Sequence, residues 1–251
     1  MSLESVFTAW TALDEAALAR PWTFRAGTLD VRNALYWMLV EAQHAVTRAT
    51  AAAHPESRRI LALAQRAFGD LRGLLAGLPD DLLDKAPAPG QWSVREVLAH
   101  VVSVEQRYAI QTAYAVERTD ADPVRIAADR LPPLSPGAVA GDVGTLLGHL
   151  AAERAATDRR LGALAPAAMT RPTAWVHFDV DVRFRLHRFA AHIAEHTIQC
   201  DKTLAALGWR QTEARRIVRQ IWALVGELEG LGAGAELSAL AAVAEERAAS
   251  L

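Results

Sequence analysis

The chain has 251 residues, of which 51% are hydrophobic and 22% charged, with a formal net charge of -2 and a single cysteine. That balance describes a globular protein with a sizeable core; the lack of a basic arm or aromatic-basic patch excludes nucleic acid on electrostatic grounds, and the lone cysteine excludes an intrachain disulfide and fits a reducing compartment. No export signal opens the chain and no run of about 18 apolar residues interrupts it, so the expected location is the cytoplasm, with no membrane partner.

Alanine, leucine and arginine dominate and β-branched alternation is nearly absent, which favours helices. A short helix is predicted over 3–19. A second covers 30–53 and stops at His54-Pro55, because proline disfavours helix in the residue before it. A third runs over 56–78, ended by Pro79, and Ala86-Pro-Ala-Pro-Gly90 is a loop. Ser93, with Glu96 three residues on, makes a capping box for a fourth helix running to about residue 118. Residues 120–141, with Pro123, Pro132, Pro133 and Pro136, read as a long surface connection. A fifth helix covers 142–164, then a short irregular or extended piece reaches Asp179. A sixth spans 181–207 and ends at Gly208, a natural residue for a left-handed helix stop. Helices over 211–231 and 236–251 complete an all-α chain whose stretch from 56 to 207 is sufficient for a four-helix bundle. The start of the second helix, Leu29-Asp-Val-Arg-Asn-Ala-Leu35, faintly echoes Val180-Asp-Val-Arg-Phe-Arg-Leu186 and sets Glu41 opposite His192 and Ala45 opposite His196. With four of seven residues matching, chance or shared helix-start chemistry accounts for the echo, and no second metal site follows from it.

The chemistry-bearing feature is His192 and His196, one helical turn apart, with His100 far upstream. At about 100° per residue, both fall within about 60° of Phe189, on the stripe formed by Leu186, Ile193, Cys200 and Leu204. His100 lies about 40° from Val104 on the inner face of its own helix, whereas His187 and Glu195 point elsewhere. A single histidine on an apolar face is ordinarily a hydrogen-bonded core residue. Three converging ones, two at ligand spacing, point to a divalent cation that satisfies several buried imidazoles at once. Cys200 reads as core packing, with a fourth, soft ligand as the alternative. Gln199 shares the side of His192 and is placed either on a ligand histidine or at the bundle edge. His149 reads as core packing and Trp92 as the hydrophobic lead-in to its helix, each with a pocket wall as the alternative, and Tyr108 reads as a cleft or bridging residue. Glu105 and Glu195 turn away from the site.

The segment Pro89-Gly-Gln-Trp-Ser-Val-Arg-Glu-Val-Leu-Ala-His100, followed by His192-Ile-Ala-Glu-His196-Thr-Ile-Gln199, resembles the DinB-like superfamily. The shared features are a Trp-Ser start to the second bundle helix, a histidine two turns in, and an H-x3-H with a nearby glutamine on the fourth. The resemblance covers about residues 57–208. It implies a four-helix bundle of up-down-down-up topology in which His100, His192 and His196 hold a divalent metal, zinc or nickel first, and it implies a homodimer. Several members are thiol-dependent S-transferases or isomerases using mycothiol, bacillithiol or a related thiol. The expected organisation is an N-terminal helical extension over 1–56, the bundle over 57–208, and C-terminal helices over 209–251 packing on it. The expected function is metal-dependent transfer of a low-molecular-weight thiol to a small electrophile. The alternatives are metal-assisted hydrolysis, a non-catalytic protein binding metal or a small molecule, and an interaction scaffold with an empty site.

Overall fold

Side-chain caps set most helix starts in the computed structural model, which describes residues 2–25, 27–133 and 139–251. Ser2 caps α1 (Leu3–Thr11) and Asp14 caps the single turn α2 (Glu15–Leu18). A hairpin of β1 (Pro21–Phe24) and β2 (Gly27–Asp30) leads into α3 (Val31–Thr50), capped by Asp30. Helix α4 (Glu56–Leu75) follows Pro55, then comes the turn α5 (Asp80–Leu83), and the expected Ser93–Glu96 capping box opens α6 (Val94–Glu117). Asp142 caps α7 (Val143–Leu161). After the turn α8 (Pro166–Met169), a second hairpin of β3 (Pro172–Trp175) and β4 (Phe178–Asp181) leads into α9 (Val182–Ala206), capped by Asp181. Helices α10 (Glu213–Leu231) and α11 (Gly234–Ser250) follow. Among the described residues no helix is long and apolar enough to cross a membrane.

Helices α4, α6, α7 and α9 form the bundle, and their pairings fix its topology. Arg183 at the start of α9 holds Glu56 at the start of α4, so these two run parallel. Arg160 near the end of α7 holds Glu117 at the end of α6, so these are parallel as well. Arg185, early in α9, reaches Gln111, late in α6, which makes the two pairs antiparallel. The order is up-down-down-up, as expected. Leucines, valines and Phe68, Phe189 and Ile193 fill the interior. One polar cluster interrupts it: Arg154, with no exposed surface, bonds Glu105 Oε1 and Asp158 Oδ1 at 2.7 Å each, while Thr157 donates to the same Glu105 oxygen. Glu105 therefore has a structural partner inside the core, away from the histidines.

Three expectations change. The predicted helix over 3–19 is broken between α1 and α2. Both stretches that precede α3 and α9 are hairpins, where only the second carried an expectation of extended chain. The connection over 120–141 folds back onto α6: Ser103 donates to Pro133 O at 2.6 Å, Tyr114 to Pro123 O at 2.7 Å, and Arg107 to Pro132 O. Residues 134–138 of that connection lie outside the described residues.

The echo between the starts of α3 and α9 has a structural cause that chance does not supply. Each hairpin is closed by the same bond, Val31 N–H to Arg20 O at 3.0 Å and Val182 N–H to Arg171 O at 3.1 Å. Each carries a non-glycine residue of positive φ in its turn, Arg25 at 55° and Val176 at 51°. The likeness continues into the next long helices, where Glu56-Ser-Arg-Arg-Ile60 matches Glu213-Ala-Arg-Arg-Ile217 and Gly69 and Gly73 match Gly226 and Gly230. At these glycines α4 and α10 touch backbone to backbone. A Cβ at Gly69 would sit 2.1 Å from Trp222 O, and one at Gly226 would sit 2.2 Å from Gln65 O. Gln65 and Trp222 are themselves corresponding positions, so the two contacts map onto each other about a local two-fold axis. Arg32 holds Glu213 at 2.9 Å as Arg183 holds Glu56 at 2.5 Å. Side chains of α1, α2, α3, α10 and α11 share one core, to which α4 adds Ala62. The two ends of the chain thus build a twin of the bundle. In that twin Glu41 stands where α9 has His192 and pairs with Arg247 of α11 at 3.4 Å, and Ala45 stands where α9 has His196.

Candidate metal centre

Helices α6 and α9 bring the three histidines together as their angular positions require. One ring nitrogen from each of His100, His192 and His196 lies within 4.8 Å of the others, and the Nε2 atoms of His192 and His196 are 3.0 Å apart. The His100 ring is 5.3 Å from that of His192 and 4.8 Å from that of His196, centroid to centroid. His192 is buried and the other two are half-buried. Gln199 Oε1 accepts from His196 Nδ1 at 2.8 Å, which fixes the tautomer that turns His196 Nε2 toward its neighbours. Of the two placements open to Gln199, the structure selects the one on a histidine of the triad, His196.

Burial pushes the His192 pKa down to about 3, and His196, His100 and Arg188 push in the same direction. Burial also lowers His196, against opposing contributions from Gln199 and Glu195. Uncharged imidazoles are what a divalent ion needs, since a protonated ring has no lone pair to give. Tetrahedral bonds of about 2 Å separate ligand nitrogens by about 3.3 Å, so the 3.0 Å pair already has metal spacing and the triad closes on an ion with small ring rotations. The residues fit a divalent metal.

The remaining sequence candidates fall on both sides of expectation. Cys200 is fully buried in the leucine core, outside the histidine cluster, and burial raises its thiol to about 12, so the packing reading holds. His149 is exposed and outside the cluster, not packed in the core. Trp92 stands at the site as the wall alternative has it: 39% exposed, it covers His100 with ring centroids 5.1 Å apart. Tyr108 lies edge-on to Phe189 and His192, and Trp175 Nε1 is 3.4 Å from its hydroxyl. Glu195 points outward to Arg188 and His187 is exposed, as their helix angles require.

A cavity of about 510 Å³ opens directly from His100 and His192. Its walls are α6, the turn of the β3–β4 hairpin with Trp175, and the folded-back connection with Val124, Arg125 and Leu131. Arg107, Arg125 and Arg185 line it, and among the described residues no carboxylate does. Sequence reasoning missed these arginines. For Arg185 the signal was present, because at about 100° per residue it falls about 40° from Phe189 on the same inward stripe as the histidines.

A comparison with curated proteins gives no match. Among solved structures the chain is similar to YfiT from Bacillus subtilis, described as a probable metal-dependent hydrolase with an unusual four-helix bundle topology. The two share 14% identity at a TM-score of 0.50, over 63% of this chain and 91% of YfiT, a likeness of fold. The family profile of the DinB superfamily matches residues 63–200, a span that holds α6 and α7 whole and most of α4 and α9, together with His100, His192 and His196. With more than half of its length matched and the histidine triad in place between the helices, the chain belongs to the DinB superfamily.

Proposed function

We propose that His100, His192 and His196 hold a catalytic divalent metal, zinc or nickel, and that the protein joins a low-molecular-weight thiol of the mycothiol or bacillithiol type to a small electrophile. The observation that carries this reading is a cavity of about 510 Å³ that opens from His100 and His192 of the triad and has no carboxylate on its described walls. Three histidines leave coordination positions free, the mark of a catalytic site. A hydrolytic centre calls for a general base beside its water, whereas a thiol needs only to lose a proton that solvent accepts. When bound, a divalent ion supplies Lewis acidity that lowers the pKa of a thiol or water at its free position.

The chain's own residues supply the rest. Gln199 holds His196 in the ligating tautomer. Trp92 and Tyr108 cover the outer and inner edges of the triad and limit water around it. Trp175 and the folded-back connection give an electrophile an apolar wall to lie on. In the overall reaction sulfur bonds to the electrophilic carbon with its own electron pair, the leaving group departs with the pair of the broken bond, and the thiol proton passes to solvent.

A second reading, metal-assisted hydrolysis, has its own support in the likeness to YfiT and its description. Both readings are tested on protein purified without a histidine tag. Metal should be present stoichiometrically and lost in H192A and H196A, while circular dichroism stays helical. The holo-protein should accelerate conjugation of monobromobimane with one class of bacterial thiol. Retained metal in both variants defeats the ligand assignment. No acceleration over free thiol defeats the transferase reading, and turnover of an ester or amide panel without thiol selects hydrolysis.

A further inference from the structure

Arg185 is a charged residue with no charged partner in a place where charge is costly. It is 2% exposed, burial lowers its pKa to about 10, so it stays protonated at neutral pH, and no acidic side chain pairs with it among the described residues. Its Nη2 donates to Gln111 Oε1, its guanidinium lies 4.8 Å from the centre of the Tyr108 ring, and its Nε has no partner. Buried guanidinium groups are ordinarily paired, because desolvating one without a counter-charge costs several kcal/mol. Arg154, equally buried in the same bundle, shows the ordinary solution with its two carboxylates.

The twin half shows that the scaffold does not require this cation. The position in α3 that corresponds to Arg185 is Ala34, fully buried, and the same helix has Glu41 and Ala45 in place of the histidine pair. The arginine and the metal ligands are absent from the twin together, as parts of one site would be. Arg185 also does not act alone. Arg107 and Arg125 line the same cavity, tethered by neutral carbonyls of Pro132 and Val176 that leave their charge uncompensated.

We infer that the cavity is built for an organic anion, a small carboxylic acid with a flat apolar body, whose carboxylate pairs with Arg185 while its reactive end faces the histidine triad. The guanidinium fork matches a planar carboxylate. Trp175 and Val104 offer the apolar body its walls, and Arg107 and Arg125 attract the anion. The role in turnover rests on the proposed metal-assisted function, but the anion site itself does not, since the side chains that form it belong to the protein without metal.

The test measures binding by calorimetry, on protein stripped with EDTA and again on protein reloaded with zinc. The probes are benzoate, its neutral relative benzamide, and phenyl phosphate. Benzoate should bind the stripped protein at least tenfold tighter than benzamide, and R185Q should erase that preference. R185K, which keeps the charge but loses the fork, should keep only part of it, and R59Q, an exposed arginine outside the cavity, should match wild type. Zinc stoichiometry and thermal melting of R185Q and R185K are measured alongside; unchanged zinc in R185K with weakened benzoate binding separates a ligand-binding role from a folding one. Equal binding of benzoate and benzamide overturns the anion site while leaving the metal reading intact. Tighter binding of phenyl phosphate than benzoate overturns the commitment to a carboxylate. Benzoate selectivity in a protein that retains no zinc leaves the anion site standing and defeats the metal reading instead.

Discussion

Replacing Gly69 with alanine should destabilise the protein although alanine is the better helix former. The new Cβ would lie 2.1 Å from Trp222 O and 2.9 Å from Trp222 C, whereas real Cβ contacts essentially never fall below 3.0 Å. The obstacle is backbone, so no side-chain rotation relieves it, and α4 and α10 must separate by at least 0.9 Å, the difference between 3.0 and 2.1 Å. Overpacking of this kind costs about 1–3 kcal/mol, at the upper end where backbone must move, and the helix-propensity gain of about 1 kcal/mol offsets part of it. The net loss is about 2 kcal/mol, a fall in Tm of about 4–8 °C for a chain of this size. G148A is the control, because a Cβ at this mid-helix glycine of α7 would meet nothing within 4 Å. It should raise Tm by about 2–4 °C. The double variant G69A/G226A should cost less than the sum of its parts, since one separation of the helices serves both new methyls. Differential scanning calorimetry of wild type, G69A, G226A, G69A/G226A and G148A decides the matter: a G69A melting point at or above that of G148A would show that the helices do not meet as closely as described.

R154M leaves Glu105 and Asp158 buried without their salt-bridge cation, and should cost about 3–5 kcal/mol in urea unfolding; a loss under about 1 kcal/mol would mean that water reaches the cluster. Stripped of metal, the protein should lose the stability that His192 contributes as pH falls from 6.5 toward 3. His192 binds no proton in the fold over that window and one in the unfolded chain, so its contribution is complete above 6.5 and declines by up to about 5 kcal/mol across the span. Asp158, raised to about 6, works oppositely, adding stability below 3.8 that is gone above about 6, so the readout is the stability of wild type minus that of H192Q, which should shrink as pH falls from 6.5 toward 3. Parallel profiles for the two proteins would refute the assignment. Cys200, buried with its thiol raised to about 12, should resist a disulfide reagent such as DTNB in the native protein and react promptly in urea. Stoichiometric labelling of the native fold would contradict its placement.

Much of the bundle was legible because its signals are local. Ser93 and Glu96 fix the start of α6, proline fixes the entry to α4, and Gly208, at φ 86°, ends the last bundle helix. The histidine triad was legible for a similar reason: angular position on a helix decides which residues face inward, and two inward faces in one bundle have little choice but to meet. The hairpins were not, since strands of four residues joined through Val176-His177 or Arg25-Ala26 lack the Asn-Gly or Asp-Gly signal of a tight turn, and a β-branched residue at positive φ is the reverse of what such a turn asks for. Arg185 sat in plain view on the inward stripe, but a charge there has meaning only once the cavity beside it is known. The cavity in turn depends on a connection whose return over α6 is set by single contacts from Ser103, Arg107 and Tyr114 to backbone carbonyls, which no spacing rule encodes. The twin was half legible: a seven-residue echo is too short to carry it, while the glycine spacing shared by α4 and α10 gains its meaning from their crossing.

The contact between α4 and α10 also sets an order of assembly during synthesis. Residues of α1 and α3 share their core with α10 and α11, so the first helices to leave the ribosome wait for the last ones before they have anything to bury themselves in. The half that carries the histidine triad has no such wait, because all four of its helices have been made by residue 206. A nascent chain would therefore carry a finished bundle whose α4 shows the naked ridge of Gly69 and Gly73 to solvent, and that ridge is sealed only when α10 arrives.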